Sequence, residues 1–248
     1  MDTFTYHNIF DTKGIEYLII IGFFAILIPF WLILNRKTSV TDKLRGLPGI
    51  ITAAALRVPQ GLFYSRNHTW AHLSRKGIAE VGLDDLLVHL TGEVKIVNSK
   101  QENEKISKGE VIAEIQKDGK ILNVFSPLSG EIIAINKKLA EDPGIIVGDP
   151  YGEGWIFRIK PSDWVAETGS CFFAGSAVTW MGNELTRFRD FLMETTSKMA
   201  NGSSVPVLQD GGELKDHMLA ELPGEVWKEF QEDFMGLEPK CSRGGVCD

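Results

Sequence analysis

The sequence of 248 residues predicts a mostly β domain between an N-terminal transmembrane helix and C-terminal amphipathic helices. Three observations predict this order: an uncharged apolar run at 17–34, short β-type runs between residues 63 and 160, and apolar positions at helical spacing after residue 164. We therefore expect five segments, which are an extracytoplasmic N-terminus (1–16), a transmembrane helix (17–34), a linker (35–62), a β domain (63–162) and a helical acidic extension (163–248).

The apolar run at 17–34 reads YLIIIGFFAILIPFWLIL and contains no charged residue. Its length approaches the roughly 20 residues that cross the hydrocarbon layer of a bilayer. Pro29 should bend such a helix rather than abolish it. Asp11 and Glu16 precede the run and Asn35-Arg36-Lys37 follow it, whereas a cleaved signal peptide would have basic residues before the run and a small-residue cleavage site close behind it. We therefore interpret it as an uncleaved anchor. A buried core helix is the alternative interpretation.

Basic residues indicate the orientation of this anchor. Arg36, Lys37, Lys43 and Arg45 follow the run closely, whereas only Lys13 precedes it. Because basic residues favour the cytoplasmic side, we expect a single-pass protein of the inner (cytoplasmic) membrane with its N-terminus outside. The C-terminal domain would then lie in the cytoplasm.

Charge and cysteine content exclude several classes of protein. The chain has 26 basic and 33 acidic residues, a net charge of −7, which argues against a nucleic-acid partner. Three cysteines, Cys171, Cys241 and Cys247, are too few for a disulfide framework and fit a reducing compartment. The last two are interpreted as ordinary terminal thiols, with a redox-sensitive disulfide or a share in a metal site as the alternatives.

The β-type runs alternate with turn residues, as in a small sandwich or barrel. They lie at 78–81, 93–97, 111–116, 121–125, 131–136 and 155–159. Asp118-Gly119 between Lys117 and Lys120 predicts a two-residue hairpin, because a type I′ turn requires positive φ angles at both positions. A short helix is expected at 83–90, since two aspartates in its first turn suit the positive end of the helix dipole.

The C-terminal third shows helical periodicity with apolar stripes. These stripes comprise Met181, Leu185, Phe188 and Leu192, then Leu214, Met218 and Leu222, and finally Val226, Phe230 and Phe234. The pattern predicts amphipathic helices that pack either on the chain's own β domain or on a partner subunit.

Several motifs resemble those of the glycine-cleavage H protein family. They are His68 and Trp70, Val81-Gly82, Gly92, Val111, Glu114, the run SPLSGE at 126–131 and the run DPYGEGW at 149–155. The resemblance covers roughly 100 residues. It implies a flattened β-barrel of the biotinyl/lipoyl type, in which lipoate is attached to a lysine at the tip of a hairpin.

The hairpin departs from the family pattern, in which Glu precedes the modified lysine by three residues, Ala follows it and Ser-Pro lies seven residues later. Glu114 and Lys117 keep the first relation, but Asp118 replaces the Ala and Ser126 comes nine residues after Lys117. Lys117 is therefore a lipoate candidate and Lys120 a weaker one. We expect neither to be modified; lipoate covalently bound to Lys117 is the alternative.

The histidines suggest no metal site. On one strand His68 and His72 would lie roughly 13 Å apart, too far to share an ion, so we expect His68 to pack near Trp70. His89 has no evident second ligand. With no nucleophile triad, phosphate loop or carboxylate pair, the sequence predicts no catalytic residue and no autonomous active site.

These observations favour a non-catalytic accessory or scaffold subunit of a membrane complex. A respiratory electron-transfer complex is the kind of complex that we consider. Its expected partners are other subunits of that complex and the lipid bilayer. The alternative is a lipoyl carrier with a swinging arm on Lys117, as in the glycine cleavage system. A glycine-cleavage component held at the membrane is a third possibility.

Overall fold

The chain divides into two units, Met1–Arg45 and Gly46–Asp248. The structure is a computed structural model, and it describes residues 9–35, 50–199 and 214–236. Cys241 and Cys247, whose role the sequence leaves open, lie outside these residues.

The first unit contains one described helix, α1 (Ile9–Asn35), with Pro29 inside it. The helix therefore begins before the predicted span 17–34 and ends one residue after it. Its described side chains, at 17 and 19–31, are exposed. Within the described parts of the chain, no helix is both long and apolar enough to cross a membrane, in contrast to the predicted transmembrane helix at 17–34.

The second unit is built mainly from short antiparallel strands. They are β1 (Ile50–Ile51), β2 (Phe63–Tyr64), β3 (Thr69–Leu73), β4 (Ala79–Leu83), β5 (Lys95–Asn98), β6 (Lys105–Ile106), β7 (Val111–Lys117), β8 (Lys120–Phe125), β9 (Gly130–Ile135), β10 (Phe157–Pro161), β11 (Phe172–Phe173) and β12 (Leu214–Lys215). A seven-stranded sheet has the order β11-β2-β3-β4-β10-β9-β6, a three-stranded sheet the order β5-β7-β8, and β1 pairs with β12. The predicted mostly β fold is confirmed.

Helices connect these strands and follow them. They are α2 (Asp85–Thr91), α3 (Lys138–Glu141), α4 (Gly144–Gly148), α5 (Trp164–Thr168), α6 (Ala174–Met199), α7 (Met218–Glu221) and α8 (Gly224–Phe234). The helix predicted at 83–90 is α2, shifted by two residues at its start. Asp84 is its N-cap, and the Asp84 side chain accepts a hydrogen bond from the backbone N–H of Leu87.

The hairpin predicted around Asp118-Gly119 is present between β7 and β8. Asp118 has φ 50° and Gly119 φ 78°, the positive values that a type I′ turn requires. Lys117 and Lys120 are paired across the ladder directly beside the turn. Along β8 the side chains alternate, since Leu122 and Val124 are buried while Ile121 is exposed.

A single hydrophobic core joins the sheets to the C-terminal helices. The predicted stripe of α6 from Met181 to Leu192 is buried, and so is the stripe of α8. Phe188 on α6 lies edge-on to Phe230 and Phe234 on α8, with ring centroids 5.8 and 5.9 Å apart. The C-terminal extension therefore packs on its own β domain.

The prediction of one helix through Leu214, Met218 and Leu222 is wrong, although all three side chains are buried as the apolar stripe implies. Leu214 instead belongs to β12, which pairs with β1. His217 then adopts a left-handed conformation with φ 62°, and α7 begins only at Met218. Pairing with a strand more than 160 residues upstream overrides the local helical pattern.

A close approach at Gly92 fixes the position of this C-terminal segment. Gly92 ends α2 with φ 68°, and a Cβ atom there would lie 2.7 Å from the ring of His217. Gly119 has φ 78°, but a Cβ atom there would meet nothing within 4 Å. Both glycines have positive φ, but Gly92 also has ψ −149°, a conformation that is nearly restricted to glycine, and it has the clash in addition.

We expect Gly92→Ala to destabilise the protein more than Gly119→Ala. Gly119→Ala incurs the cost of a left-handed residue, roughly 1–2 kcal/mol, and Gly92→Ala places a side chain in a conformation that is nearly restricted to glycine. Gly92→Ala adds the displacement of His217, about 1–3 kcal/mol of overpacking. Denaturant unfolding of both variants would measure the difference, and equal losses would contradict the proposed contact.

Candidate functional site

The candidate site is the tip of the β7–β8 hairpin, where Lys117 and Lys120 flank the turn. Asp118 and Gly119 at the tip are exposed, whereas both lysines are half-buried. The position of the lysines is the one the sequence predicts. The sequence did not predict the contacts of these lysines, because both ammonium groups bind other parts of the chain.

Lys117 binds the end of α2. Its Nζ atom donates a hydrogen bond to the backbone oxygen of Thr91, the last residue of that helix, at 3.0 Å. Carbonyl groups at a helix C-terminus lack intrahelical partners and carry partial negative charge, so they favour an ammonium group. The Lys117 amine is therefore held against the domain.

Lys120 binds the C-terminal cover, the name used here for residues 214–236 with β12, α7 and α8. Its Nζ donates to the backbone oxygen of Ala220 at 2.6 Å and lies 5.7 Å from the centroid of the Trp227 ring. Trp227 is only 1% exposed, and its indole N–H donates to the oxygen of Leu219 at 2.6 Å. The cation is thus enclosed by an aromatic face and a carbonyl group.

The cover also protects an edge of the three-stranded sheet. β8 is an edge strand of that sheet. The backbone N–H of Asn123 on β8 donates to Oε1 of Gln231 on α8 at 2.5 Å. An edge strand leaves N–H groups free to pair with another chain. Here the cover satisfies one of them internally.

A cavity of about 240 Å³ lies at the opposite end of the hairpin, beside Gly109 and Ser126. Lys108 in its wall donates to Ser170 Oγ at 2.7 Å. Burial raises the pKa of the Cys171 thiol, which also lines the cavity. A protonated thiol is a weak nucleophile, so this cavity contains no activated group.

His68 is buried, but its environment differs from the one the sequence predicts. It lies before β3 with φ 57°, so it does not share a strand with His72. Its Nδ1 atom is 2.7 Å from Oδ2 of Asp84, and its ring stacks on Trp180 at 5.3 Å. Trp180 on α6, rather than Trp70, therefore packs against the ring.

A second carboxylate faces the other ring nitrogen of His68. Nε2 lies 3.7 Å from Oε2 of Glu184 on α6, which also binds Arg187. Burial alone would lower the pKa of His68, but Asp84 and Glu184 raise it to about 9. His68 is therefore an imidazolium ion at neutral pH. Burial tends to raise the pKa of Glu184, yet His68 and Arg187 lower it overall.

His89 has a similar pair of carboxylates. Its Nδ1 atom lies 2.7 Å from Oδ1 of Asp216 in the cover, and its Nε2 atom 3.4 Å from Oδ2 of Asp85. Arg57 binds the same Asp85 through Nε at 3.0 Å. Burial tends to lower the pKa of His89, but the two carboxylates raise it overall. Within the described residues, no group of three or more His, Cys, Asp or Glu could hold a metal ion.

A mostly β domain that presents a lysine beside a two-residue hairpin turn has the architecture of the biotinyl/lipoyl carrier class. The family model described as glycine cleavage H-protein matches residues 62–174. The probable glycine cleavage system H protein of Pyrococcus abyssi is 33% identical over 114 residues, which cover 46% of this chain and 84% of that protein. The glycine cleavage system H protein of Psychrobacter cryohalolentis is 38% identical over 106 residues, or 43% of this chain and 84% of that protein.

A crystal structure of a glycine cleavage system H protein from Mycobacterium marinum aligns with a TM-score of 0.40 and 27% identity, covering 42% of this chain and 87% of that one. Because curated relatives above 30% identity are covered over most of their length, the chain belongs to the glycine-cleavage H protein family. H proteins are carriers rather than catalysts, so the chain is not an enzyme.

We expect Asp84→Asn to lower the pKa of His68 by about 1–3 units, because it removes the charge nearest to Nδ1. An Asn side chain still caps α2. An NMR titration of the His68 ring in the variant and in the wild type would measure the shift. An unchanged His68 pKa would show that Asp84 does not hold the proton.

The same variant has a defined effect on stability. The folded-state pKa of His68, about 9, lies above its ordinary value of 6.5. The imidazolium therefore adds its full contribution to the free energy of unfolding below pH 6.5, and this contribution is lost as the pH rises through 9. The loss of unfolding free energy in Asp84→Asn should therefore be largest below pH 6.5 and smaller above pH 9. Denaturant unfolding at both ends would test this, and a pH-independent loss would contradict it.

Proposed function

We propose that this chain is a non-catalytic accessory subunit that uses the H protein fold for docking and carries no lipoate. The observation that supports this most is the engagement of both hairpin lysines. Lys117 donates to Thr91 and Lys120 to Ala220, so neither amine is free in the folded protein. A lysine that receives lipoate has to enter the active site of a ligase.

Modification of either lysine would require its own contact to be broken. A hydrogen bond to a charged group contributes about 1.5–3 kcal/mol net. For Lys120, the ligase would also have to displace Trp227, which is buried beneath the amine. Amide formation removes the positive charge, so neither the cation–π contact nor the ion–carbonyl contact would return afterwards. The spacing of nine residues from Lys117 to Ser126, where the family pattern has seven, points the same way.

A lipoyl carrier with its arm on Lys117 is the second candidate function. It is favoured by the family and by the spacing of Glu114 and Lys117. In addition, Lys117 contacts α2 rather than the cover, so its release would not require the cover to move. Such a carrier would present a dithiolane to partner enzymes.

Intact-mass analysis of the protein purified from its native source separates the two functions. An unmodified mass supports the accessory subunit. A lipoyl increment that peptide mapping places on Lys117, and that Lys117→Arg abolishes while Lys120→Arg does not, would instead establish the carrier.

We expect Trp227→Ala to make the hairpin accessible to a lipoate–protein ligase in vitro, whereas the wild-type protein is modified poorly or not at all. Removing a buried Trp costs about 3–5 kcal/mol, so circular dichroism must confirm that the variant is folded. Gln231→Ala is the milder variant, because it releases only the Asn123 contact of α8. Ile121→Ala is the matched control, since Ile121 is 51% exposed on the same strand. Equal modification of all four proteins would contradict protection by the cover.

The proposed location is an inner-membrane complex, with the N-terminus outside and the β domain in the cytoplasm; respiratory electron transfer is the proposed class. This part rests on the sequence alone, on the uncharged run at 17–34 and the basic residues after it. Carbonate extraction tests membrane integration, and the protein should stay in the pellet. A pull-down in mild detergent should recover membrane subunits. Recovery of glycine decarboxylase instead would place the chain in the glycine cleavage system.

A further inference from the structure

Two histidines join the β domain to the C-terminal part of the chain by the same arrangement. Each imidazole lies between two carboxylates. One carboxylate comes from the adjacent aspartates at the start of α2, Asp84 for His68 and Asp85 for His89. The other comes from beyond residue 174, Glu184 for His68 and Asp216 for His89.

The His68 bridge extends to α8 of the cover. Glu184 accepts hydrogen bonds from Arg187 Nη1 through both carboxylate oxygens, at 3.1 and 2.8 Å. The Arg187 guanidinium lies 4.2 Å from the Phe234 ring centroid and also donates to the backbone oxygen of Asp233. Phe234 in turn stacks on the His68 ring at 6.3 Å. The imidazole thus contacts both α6 and α8.

The His89 bridge holds the other end of the cover. Besides the Asp216 contact, the backbone N–H of His217 donates to the oxygen of His89 at 2.7 Å. The ring of His217 rests directly on Gly92. These contacts lie at the start of the cover, between β12 and α7. Three residues after His217, Ala220 binds the hairpin amine of Lys120.

We propose that His68 and His89 form a pH-dependent latch, in which protonated imidazoles hold the C-terminal cover on the lysine hairpin and deprotonation releases it. This goes beyond the proposed function and concerns when the hairpin can be reached. It holds for Lys120 even if Lys117 carries a group.

Charge balance explains why deprotonation would release the cover. When both imidazoles are charged, the positive and negative charges of the cluster balance. The two rings and the guanidinium groups of Arg57 and Arg187 face four carboxylates, those of Asp84 and Asp85 at α2, Glu184 on α6 and Asp216 in the cover. His217, Tyr64 and Tyr151 are further titratable neighbours of this region. A neutral ring leaves two carboxylates facing each other across it, in surroundings that screen them poorly.

Burial adds to the effect at His68. The Asp84 side chain is 0% exposed and that of His68 is 1% exposed. His68 Nε2 is buried without a hydrogen-bond partner and faces only the Glu184 carboxylate, at 3.7 Å. The carboxylates raise the pKa of His68 to about 9 against the opposing effect of burial. The latch is therefore closed at neutral pH and opens as the pH rises.

A pulse of amine acylation on the full-length protein between pH 6.5 and 10 tests the latch. Mass spectrometry would report labelling of Lys117 and Lys120 relative to Lys137, whose side chain is 81% exposed. The ratio removes the intrinsic pH dependence of amine reactivity. We expect the Lys120 ratio to rise about tenfold across this range, which corresponds to about 1.4 kcal/mol of lost closure energy.

Neutral variants complete the experiment. His68→Gln and His89→Gln should show the high labelling ratio already at pH 6.5 and little further change with pH. His72→Gln is the matched control, because His72 is exposed on β3, and it should behave like the wild type. If His68→Gln fails to fold, the labelling of His89→Gln and the pH dependence of the wild type still decide whether the latch exists.

A flat Lys120 ratio in the wild type, or a wild-type response in the folded histidine variants, would overturn the latch. Intact mass measured on the same samples keeps this result separate from the proposed function. A lipoyl increment on Lys117 would count against the accessory subunit, while Lys120 would still report the latch.

Discussion

The adjacent aspartates at the start of α2 are the constraint on which much of the second unit depends. Asp84 and Asp85 are both fully buried, and buried carboxylates require cations and N–H donors. Asp84 caps α2 and holds the proton of His68, while Asp85 binds Arg57 and His89. Each histidine then attracts a further carboxylate from the C-terminal part of the chain. A single turn of helix thus organises contacts between segments that lie far apart in the sequence.

The motifs that identify the family have structural roles here. Trp70 donates its indole N–H to the oxygen of Pro150, within the DPYGEGW run. Tyr151 donates to the oxygen of Arg57 and accepts from the N–H of Asp85, so it links this run to α2. Gly82 faces the Trp70 ring, where a Cβ atom would lie 2.8 Å from it. These residues maintain the fold whether or not a group is attached to the hairpin.

In the function we propose, the hairpin is where this chain keeps the fold of the family but departs from its carrier role. A swinging arm needs a lysine amine that is free to react and a tip that partner enzymes can reach. In this chain Lys117 is held by α2, and Lys120 is held by the C-terminal cover. The same helix that encloses Lys120 also satisfies an N–H group of the edge strand β8. An extension that stabilises the domain also restricts the site from which the family's carrier function would operate.

Local patterns were sufficient for most of the β domain, the helical stripes of α6 and α8, and the turn at Asp118-Gly119, because these depend on neighbouring residues and on burial of one face. The resemblance placed the lysines at the tip. The cover could not be foreseen, since the Lys120–Ala220 contact spans 100 residues and the His89–Asp216 contact 127. The strand at Leu214 likewise depended on a distant partner, Ile51. Contacts between remote segments leave no periodic trace in a sequence, so the folded chain alone reveals them.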